Sequence, residues 1–193
     1  MTKWPETYAT GQFAMTTSEP SLIVRDYAER IPPQARVADL GCGAGRNALF
    51  LASLDHAVDA FDLADLGWHR GAAGVHFEQR PVESVQLGVK EYGAVLAMRL
   101  IQYLPLGEVE GLIEKSAAGL VPGGLLFLNY SVSGGVHKAG LEVDTFEHPI
   151  DDIVDLVGDS GLALLHTSDE LMPQRHVNLK SGMVHAFDLV AQK

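Results

Sequence analysis

The sequence holds a single cysteine, Cys42, so no internal disulfide can form and cysteine usage leaves the redox compartment open. It is also short of positive charge. Fourteen Lys and Arg against 25 Asp and Glu give a formal net charge of −11 at pH 7 and a pI near 5.0. A surface so acidic repels phosphate backbones and anionic headgroups, because affinity for nucleic acid rests on lysine and arginine neutralising phosphates. Nucleic acid and membrane are therefore not expected as partners; a small molecule that is neutral, cationic or recognised locally is. The opening residues Met1 to Tyr8 lack a basic stretch followed by an apolar run. No segment approaches the roughly 20 apolar residues of a membrane helix. The expectation is a soluble, cytoplasmic protein, monomer or homodimer. Repeats, low-complexity tracts and linkers are absent too, so the 193 residues, 47% hydrophobic and 20% charged, are read as one domain, 1–193.

What is present is an alternation of short apolar runs with helical patterns. Ser21 to Ile31 reads as a helix stopped by Pro32-Pro33. Strands are expected over Ala35–Leu40, Ala57–Phe61 (closed by Asp62), Val75–Gln79, Tyr92–Met98, Leu125–Tyr130, Leu162–Thr167 and Val184–Val190. Helices are expected over Arg46–Leu54, Glu108–Leu120 and Pro149–Asp159. In the second of these Val109, Leu112, Ile113, Ser116 and Leu120 share one face; the third carries Asp151 and Asp152 in its first turn, where the dipole favours acid. Pro122-Gly123-Gly124 reads as a turn, Ser131 to Glu147 as a long polar connection, and the glycine-rich stretch between Asp62 and Val75 as too short for a full helix. This order predicts an α/β fold: a Rossmann-like, seven-stranded, mostly parallel sheet with helices on both faces. Residues 1–34 would form an N-terminal helical cap and 35–193 the core.

The most informative segment runs from Val37 to Asn47, V-A-D-L-G-C-G-A-G-R-N, between the first strand and its helix. Glycines there permit positive φ and a close approach of backbone N–H groups to a ligand, and the helix N-terminus beyond them favours an anion. About 20 residues on, at the end of the second strand, Asp62 can accept hydrogen bonds from ribose hydroxyls. Three readings compete. A dinucleotide fold wants G-x-G-x-x-G, whereas position 46 is Arg and the observed spacing is G-x-G-x-G. A phosphate-binding loop needs Gly-Lys-Ser/Thr, which does not follow. A glycine-rich turn with no ligand leaves the placing of Asp62 unexplained.

At these residues the sequence resembles the class I S-adenosylmethionine-dependent methyltransferases. Val37–Asn47 is similar to their first motif, D-x-G-x-G-x-G, and Ala57–Asp62 to their second strand with its ribose-binding acid. Tyr92–Leu104 is similar to their fourth strand and following turn, and Leu120–Leu126 to their L-x-P-G-G-x-L segment. Within the family the chain looks closest to small tellurite-resistance-type members. The resemblance implies S-adenosylmethionine as cofactor and S-adenosylhomocysteine as product. It implies that Asp39 helps orient the methionine amino end through water. Gly41, Gly43 and Gly45, with Cys42 and Ala44, would line methionine and ribose. Asp62 would hold the ribose hydroxyls and Leu63 would pack on adenine. Where the family often has an acid for the adenine amino group this chain has Pro81, leaving the Val82 backbone or Glu83 to substitute.

Met98 and Arg99 close the fourth strand, where ligands sit in open α/β sheets, so both are assigned to the cofactor side, with Arg99 placed to meet cofactor or substrate. The competing reading is that Arg99 begins a helix and pairs with a surface acid. Gln102 and Tyr103 are read as packing residues. His166 and His185 sit within strands and read as structural, while His137, Glu147, His148 and His176 lie in loops that could overhang a site. None of the histidines has metal-ligand spacing, and no metal is expected. Trp4, Tyr8, Phe13 and Met15 would fold over the pocket or pack on the sheet edge. Cys42 reads as a small apolar filler. No catalytic residue is named by any motif.

The implied reaction is direct methyl transfer from a sulfonium to a small-molecule acceptor, in which the protein mainly supplies alignment. Two alternatives stay open: a cofactor-binding protein without catalysis, and an NAD(P)-dependent oxidoreductase.

Overall fold

The computed structural model describes residues 18–132, 144–173 and 183–193. Trp4, Tyr8, Phe13, Met15, His137 and His176 lie outside the described residues. The elements run α1 (Leu22–Tyr27), β1 (Arg36–Leu40), α2 (Arg46–Ala52), β2 (Ala57–Asp62), β3 (Val75–Gln79), β4 (Tyr92–Met98), α3 (Leu106–Gly119), β5 (Leu120–Ser131), α4 (Ile150–Asp159), β6 (Ala163–Pro173) and β7 (Met183–Gln192). Seven strands form one sheet in the order β3-β2-β1-β4-β5-β7-β6. The first five pair in parallel, and β7 runs antiparallel to both neighbours. This is the predicted α/β architecture. The order reverses between β1 and β4, which puts the switch point, and with it the usual ligand crevice, at the carboxyl ends of these two strands.

The apolar runs of β4 and β5 follow from burial on both faces; every residue of β4 is buried. One face packs Ala38, Leu40, Val95, Leu126 and Leu128 against Val109, Leu112 and Ile113 of α3 and Ile153 and Val157 of α4. The other packs Val37, Val58, Ala60, Leu96 and Phe127 against Ile23 and Val24 of α1 and Ala48 and Leu51 of α2. Each fully buried Leu, Ile or Phe contributes about 1.5–3 kcal/mol.

The structure departs from the expected elements in four places. The first helix is shorter: α1 gives way to a 3-10 turn over Ala28–Arg30. The second likewise ends at Ala52, not Leu54. The expected turn at Pro122–Gly124 lies inside β5. Leu120 pairs with Tyr92, the register slips, and pairing resumes at Ala94 with Leu125. Gly123 takes φ +82° there, and an irregularity of this kind tolerates a proline that donates no bond. Finally, β6 and β7 run beyond their apolar cores, because Ser168, Asp169 and Glu170 pair with Asp188, Phe187 and Ala186; backbone pairing extends through polar residues that carry no apolar signal.

Between β2 and β3 there is no helix, as the sequence suggested. Trp68 fills that space, packing on the same face as Val75 and Phe77, while the His69 ring stacks on Phe77 at 4.4 Å.

Candidate functional site

The turn after β1 is stitched to the end of β2. Gly41 and Cys42 donate their N–H groups to Phe61 O, at 2.8 and 3.1 Å. Asp62, buried at the end of β2, accepts from Gly43 N at 2.8 Å and from Ala64 N at 2.9 Å. The acid read as a ribose ligand therefore also holds the glycine turn in shape, and its remaining lone pairs are the ones a ligand could use.

Two glycines here adopt positive φ, where a side chain is strained. A Cβ on Gly41 (φ +71°) would come within 3.0 Å of Leu100, and one on Gly45 (φ +74°) would overlap the Trp68 ring. Trp68 is fixed by its Nε1–H, which donates to Gly43 O at 2.8 Å. Arg46, the residue that breaks the dinucleotide pattern, opens α2 and donates from Nη2 to Ser21 Oγ at 2.9 Å. Asn47 Oδ1 accepts from Ser21 N at 2.8 Å. Together they tie the N-terminal helix to the glycine turn.

Asp39 lies at 1% exposure next to this turn. Burial, and then the nearby charge of Asp62, push its carboxyl up to about 7, against the pull of Arg46 and of the Ala48 N–H. Its Oδ2 is buried with no hydrogen-bond partner. An unpaired carboxylate oxygen is costly to bury, and a cationic amino group or a water carrying its hydrogen bond would relieve that cost. Burial likewise raises Asp62, held back by the N–H groups of Ala64, Gly43 and Leu63. Cys42 is buried, and burial, then Asp39 and Asp62, drive its thiol up, so it stays protonated as the apolar filler the sequence suggested.

At the end of β4, Arg99 adopts φ +60°, a left-handed conformation that costs a non-glycine residue about 1–2 kcal/mol. It is locked there: its N–H donates to Asn129 O at 2.6 Å, and its carbonyl accepts from Gln102 Nε2 at 3.0 Å. Arg99 does not begin an α-helix; a 3-10 turn, Ile101–Tyr103, follows. Met98 is buried and pairs with Asn129, which pairs in turn with Asp188. Asn129 Nδ2 donates to Asp188 Oδ1 at 2.8 Å. Burial raises the Asp188 carboxyl while Asn129, His166 and Arg99 lower it.

The other sequence expectations divide. Leu63 is half-buried beside Asp62, and its carbonyl accepts from Gln79 Nε2 at 2.9 Å. The Val82 carbonyl is committed to Lys115 Nζ at 2.6 Å and to Val85 N, so of its backbone the N–H is what remains for a ligand. Glu83 shares a hydrogen bond with Glu108 at the start of α3. His148 is not an overhanging loop side chain: it is 3% exposed, and its Nε2 lies 3.0 Å from both Ile101 O and Leu104 O. Since carbonyls only accept, that nitrogen carries the proton, and the ring pins the turn after β4. Gln102 is buried as a packing residue, its carbonyl accepting from Phe146 N at 2.8 Å. His166 packs on the Tyr27 ring of α1, and His185 lies 2.5 Å from Asp169 across the β6–β7 pair. Among the described residues no group of three His, Cys, Asp or Glu could hold a metal, and no helix is long and apolar enough to cross a membrane.

The sequence reading missed Trp68, Leu100 and the Asn129–Asp188 pair. Trp68 had a signal, a lone bulky aromatic in a glycine-rich stretch facing a turn that needs a cover. Asn129 and Asp188 are 59 residues apart and meet only through strand pairing.

Comparison with known proteins points one way. A family model described as tellurite resistance protein TehB matches residues 1–73. A ubiquinone biosynthesis O-methyltransferase of Xanthomonas axonopodis is 36% identical over 107 residues, 51% of this chain and 44% of the relative. The chain thus spans less than half the length of the curated relatives it matches. Among solved structures, TehB from Haemophilus influenzae aligns with TM-score 0.75 at 18% identity, covering 98% of this chain and 67% of that one. A Burkholderia thailandensis 1,6-didemethyltoxoflavin-N1-methyltransferase, with bound 1,6-didemethyltoxoflavin and S-adenosylhomocysteine, gives TM-score 0.75 at 17% identity, covering 98% and 85%. The fold is the one shared by these solved methyltransferases, and the sequence likenesses are to a tellurite resistance protein family and to O-methyltransferases.

Proposed function

We propose that the chain is a methyltransferase that uses S-adenosylmethionine to methylate a small-molecule acceptor by direct displacement. The observation that carries this reading is Asp39, whose buried Oδ2 lacks a partner beside a turn of positive-φ glycines that is closed to a side chain at Gly45. These features fit a ligand with a cationic amino group and a ribose. Asp39 would take the amino end, directly or through water, and Asp62 the ribose hydroxyls. Gly41, Cys42, Gly43 and Gly45 would line the methionine, Leu63 and the Val82 N–H the adenine, and Met98 the cofactor floor. The relatives that match in sequence are O-methyltransferases, which supports a small acceptor.

The cofactor supplies an activated methyl on a sulfonium: the bond from the acceptor's nucleophile to carbon forms as the sulfur–carbon bond breaks, leaving neutral S-adenosylhomocysteine. The protein holds the two reactants in line, which alone supplies much of the rate, and Trp68, Leu100 and the covered glycine turn keep the backbone rigid around them. A general base is needed only for a poorly nucleophilic acceptor. The same reading treats the chain as one methyltransferase domain with residues 1–34 as a cap, cytoplasmic, and monomeric or homodimeric.

Calorimetry with S-adenosylmethionine and S-adenosylhomocysteine, with NAD(H) as control, tests it on the wild type and Asp62→Ala. Micromolar binding of the sulfur compounds, weakened by about 1 kcal/mol or more in the variant, is expected. Binding of NAD(H) alone would refute the reading, and turnover with any acceptor removes a binding-only role.

A further inference from the structure

Asp39, Asp62 and the glycine turn account for one side of the site; the side beyond β4 has its own unfilled chemistry. Four arginines stand near the carboxyl ends of β1 to β4. Arg46 is tied to Ser21 and Glu19, Arg70 to Asp65, and Arg80 to Glu78. The Arg99 guanidinium has neither hydrogen bond nor ion pair among the described residues. It is half-buried, and that burial lowers its pKa, opposed by the charges of Tyr103 and Asp188. Those two neighbours locate it between the turn after β4 and the Asn129–Asp188 pair on β5 and β7, one residue beyond Met98. Asp188 cannot substitute for a direct partner, since it is not within ion-pair distance and its Oδ1 takes the Asn129 amide.

Two further facts mark the place as built. The Arg99 backbone is clamped at both ends in the left-handed region, through Asn129 O and Gln102 Nε2, and strain of this kind persists only where surrounding contacts impose it. Nearby polar groups are also incompletely bonded: Ser131 Oγ, two residues along β5 on the same face as Asn129, and Gln102 Oε1 are buried without partners. A guanidinium presents N–H groups in a rigid fork that matches a carboxylate.

We propose that Arg99 is a specificity-determining residue on the acceptor side, and that the methyl acceptor is a small molecule carrying a carboxylate which the Arg99 guanidinium binds. The proposal rests on the methyltransferase reading, which makes this end of the sheet the acceptor's place. It also explains how a chain of net charge −11 takes an anionic ligand: the attraction is local and partly shielded from water, which strengthens a charge-assisted pair.

The test uses the full chain saturated with S-adenosylhomocysteine and a matched pair of probes, 3,4-dihydroxybenzoate and catechol, with affinities measured by calorimetry. The carboxylate is expected to bind at least tenfold more tightly than catechol. Arg99→Met should abolish that difference. Arg99→Lys, whose ammonium cannot fork a carboxylate, should reduce it at least threefold; this variant decides the matter if circular dichroism shows Arg99→Met unfolded. Equal affinities, no binding of either probe, or a preference that survives both substitutions overturns the proposal and leaves the methyltransferase reading standing. Failure of the wild type to bind S-adenosylhomocysteine overturns that reading first, and the acceptor assignment with it.

Discussion

Two aspartates on neighbouring strands, Asp59 of β2 and Asp39 of β1, are equally hidden, at 6% and 1% exposure, yet their surroundings are opposite. Asp59 lies one register step nearer the amino ends, opposite Ala38, and has partners on both oxygens. Arg36 Nε lies 2.6 Å from its Oδ2, the Tyr92 hydroxyl donates to the same oxygen at 3.0 Å, and His76 stands 3.6 Å from Oδ1. The Arg36 guanidinium also lies over the Tyr92 ring and reaches Glu91. Asp39, toward the carboxyl ends, has an oxygen without a partner and a second acid, Asp62, as its neighbour. Closed polar clusters stabilise; open ones lose stability that a ligand can restore. The difference leaves bonding capacity for a ligand on Asp39 and none to spare around Asp59.

The largest expected effect tests whether the open end is loose or merely unsatisfied. Gly45→Ala adds a left-handed alanine, about 1–2 kcal/mol, to an overlap with Trp68 of about 1–3 kcal/mol. Urea unfolding should show a loss of about 2–5 kcal/mol; a loss near zero would mean that Trp68 does not cover the turn. Next comes the direct comparison. Asp59→Asn should cost about 1–2 kcal/mol, less than a fully buried pair because Arg36 is half-exposed, and should leave S-adenosylhomocysteine affinity unchanged. Asp39→Asn should cost little stability near neutral pH but weaken that affinity. If both variants behave alike in binding, the two ends do not differ in role.

The last expected effect is a pH dependence. A carboxyl whose pKa is raised on folding binds its proton more tightly in the native chain. The stability Asp39 contributes is therefore complete below about pH 4 and lost as pH rises through about 7. Between these limits its part of the slope is at most about 1.4 kcal/mol per pH unit. Chemical unfolding at pH 5.5 and 8 should show stability falling toward alkali in the wild type and a flatter response in Asp39→Asn. Identical slopes would mean that Asp39 ionises normally.

Much of this was legible in the sequence, for identifiable reasons. The glycine turn and Asp62 were readable because backbone conformation and a fixed distance along the chain impose residue types directly. Strands β4 and β5 were readable because burial on both faces leaves an apolar run. The ends of β6 and β7 were not, because hydrogen-bonded pairing continues through Ser168–Glu170 without any apolar mark. His148 was misjudged as overhanging a site because a histidine in a polar segment carries no sign that two carbonyls await its N–H.

By itself the sequence determined the α/β class, the order of the elements and the segments that could face a cofactor, since these depend on local periodicity and on which residues tolerate positive φ. Only the tertiary structure decided which buried charges are satisfied and which are not. Arg36 reaches Asp59 while Arg99 reaches no partner among the described residues, and Asn129 meets Asp188 across 59 residues of chain. Such pairings are set by strand order and register, which bring distant residues within hydrogen-bond range and which no local pattern encodes.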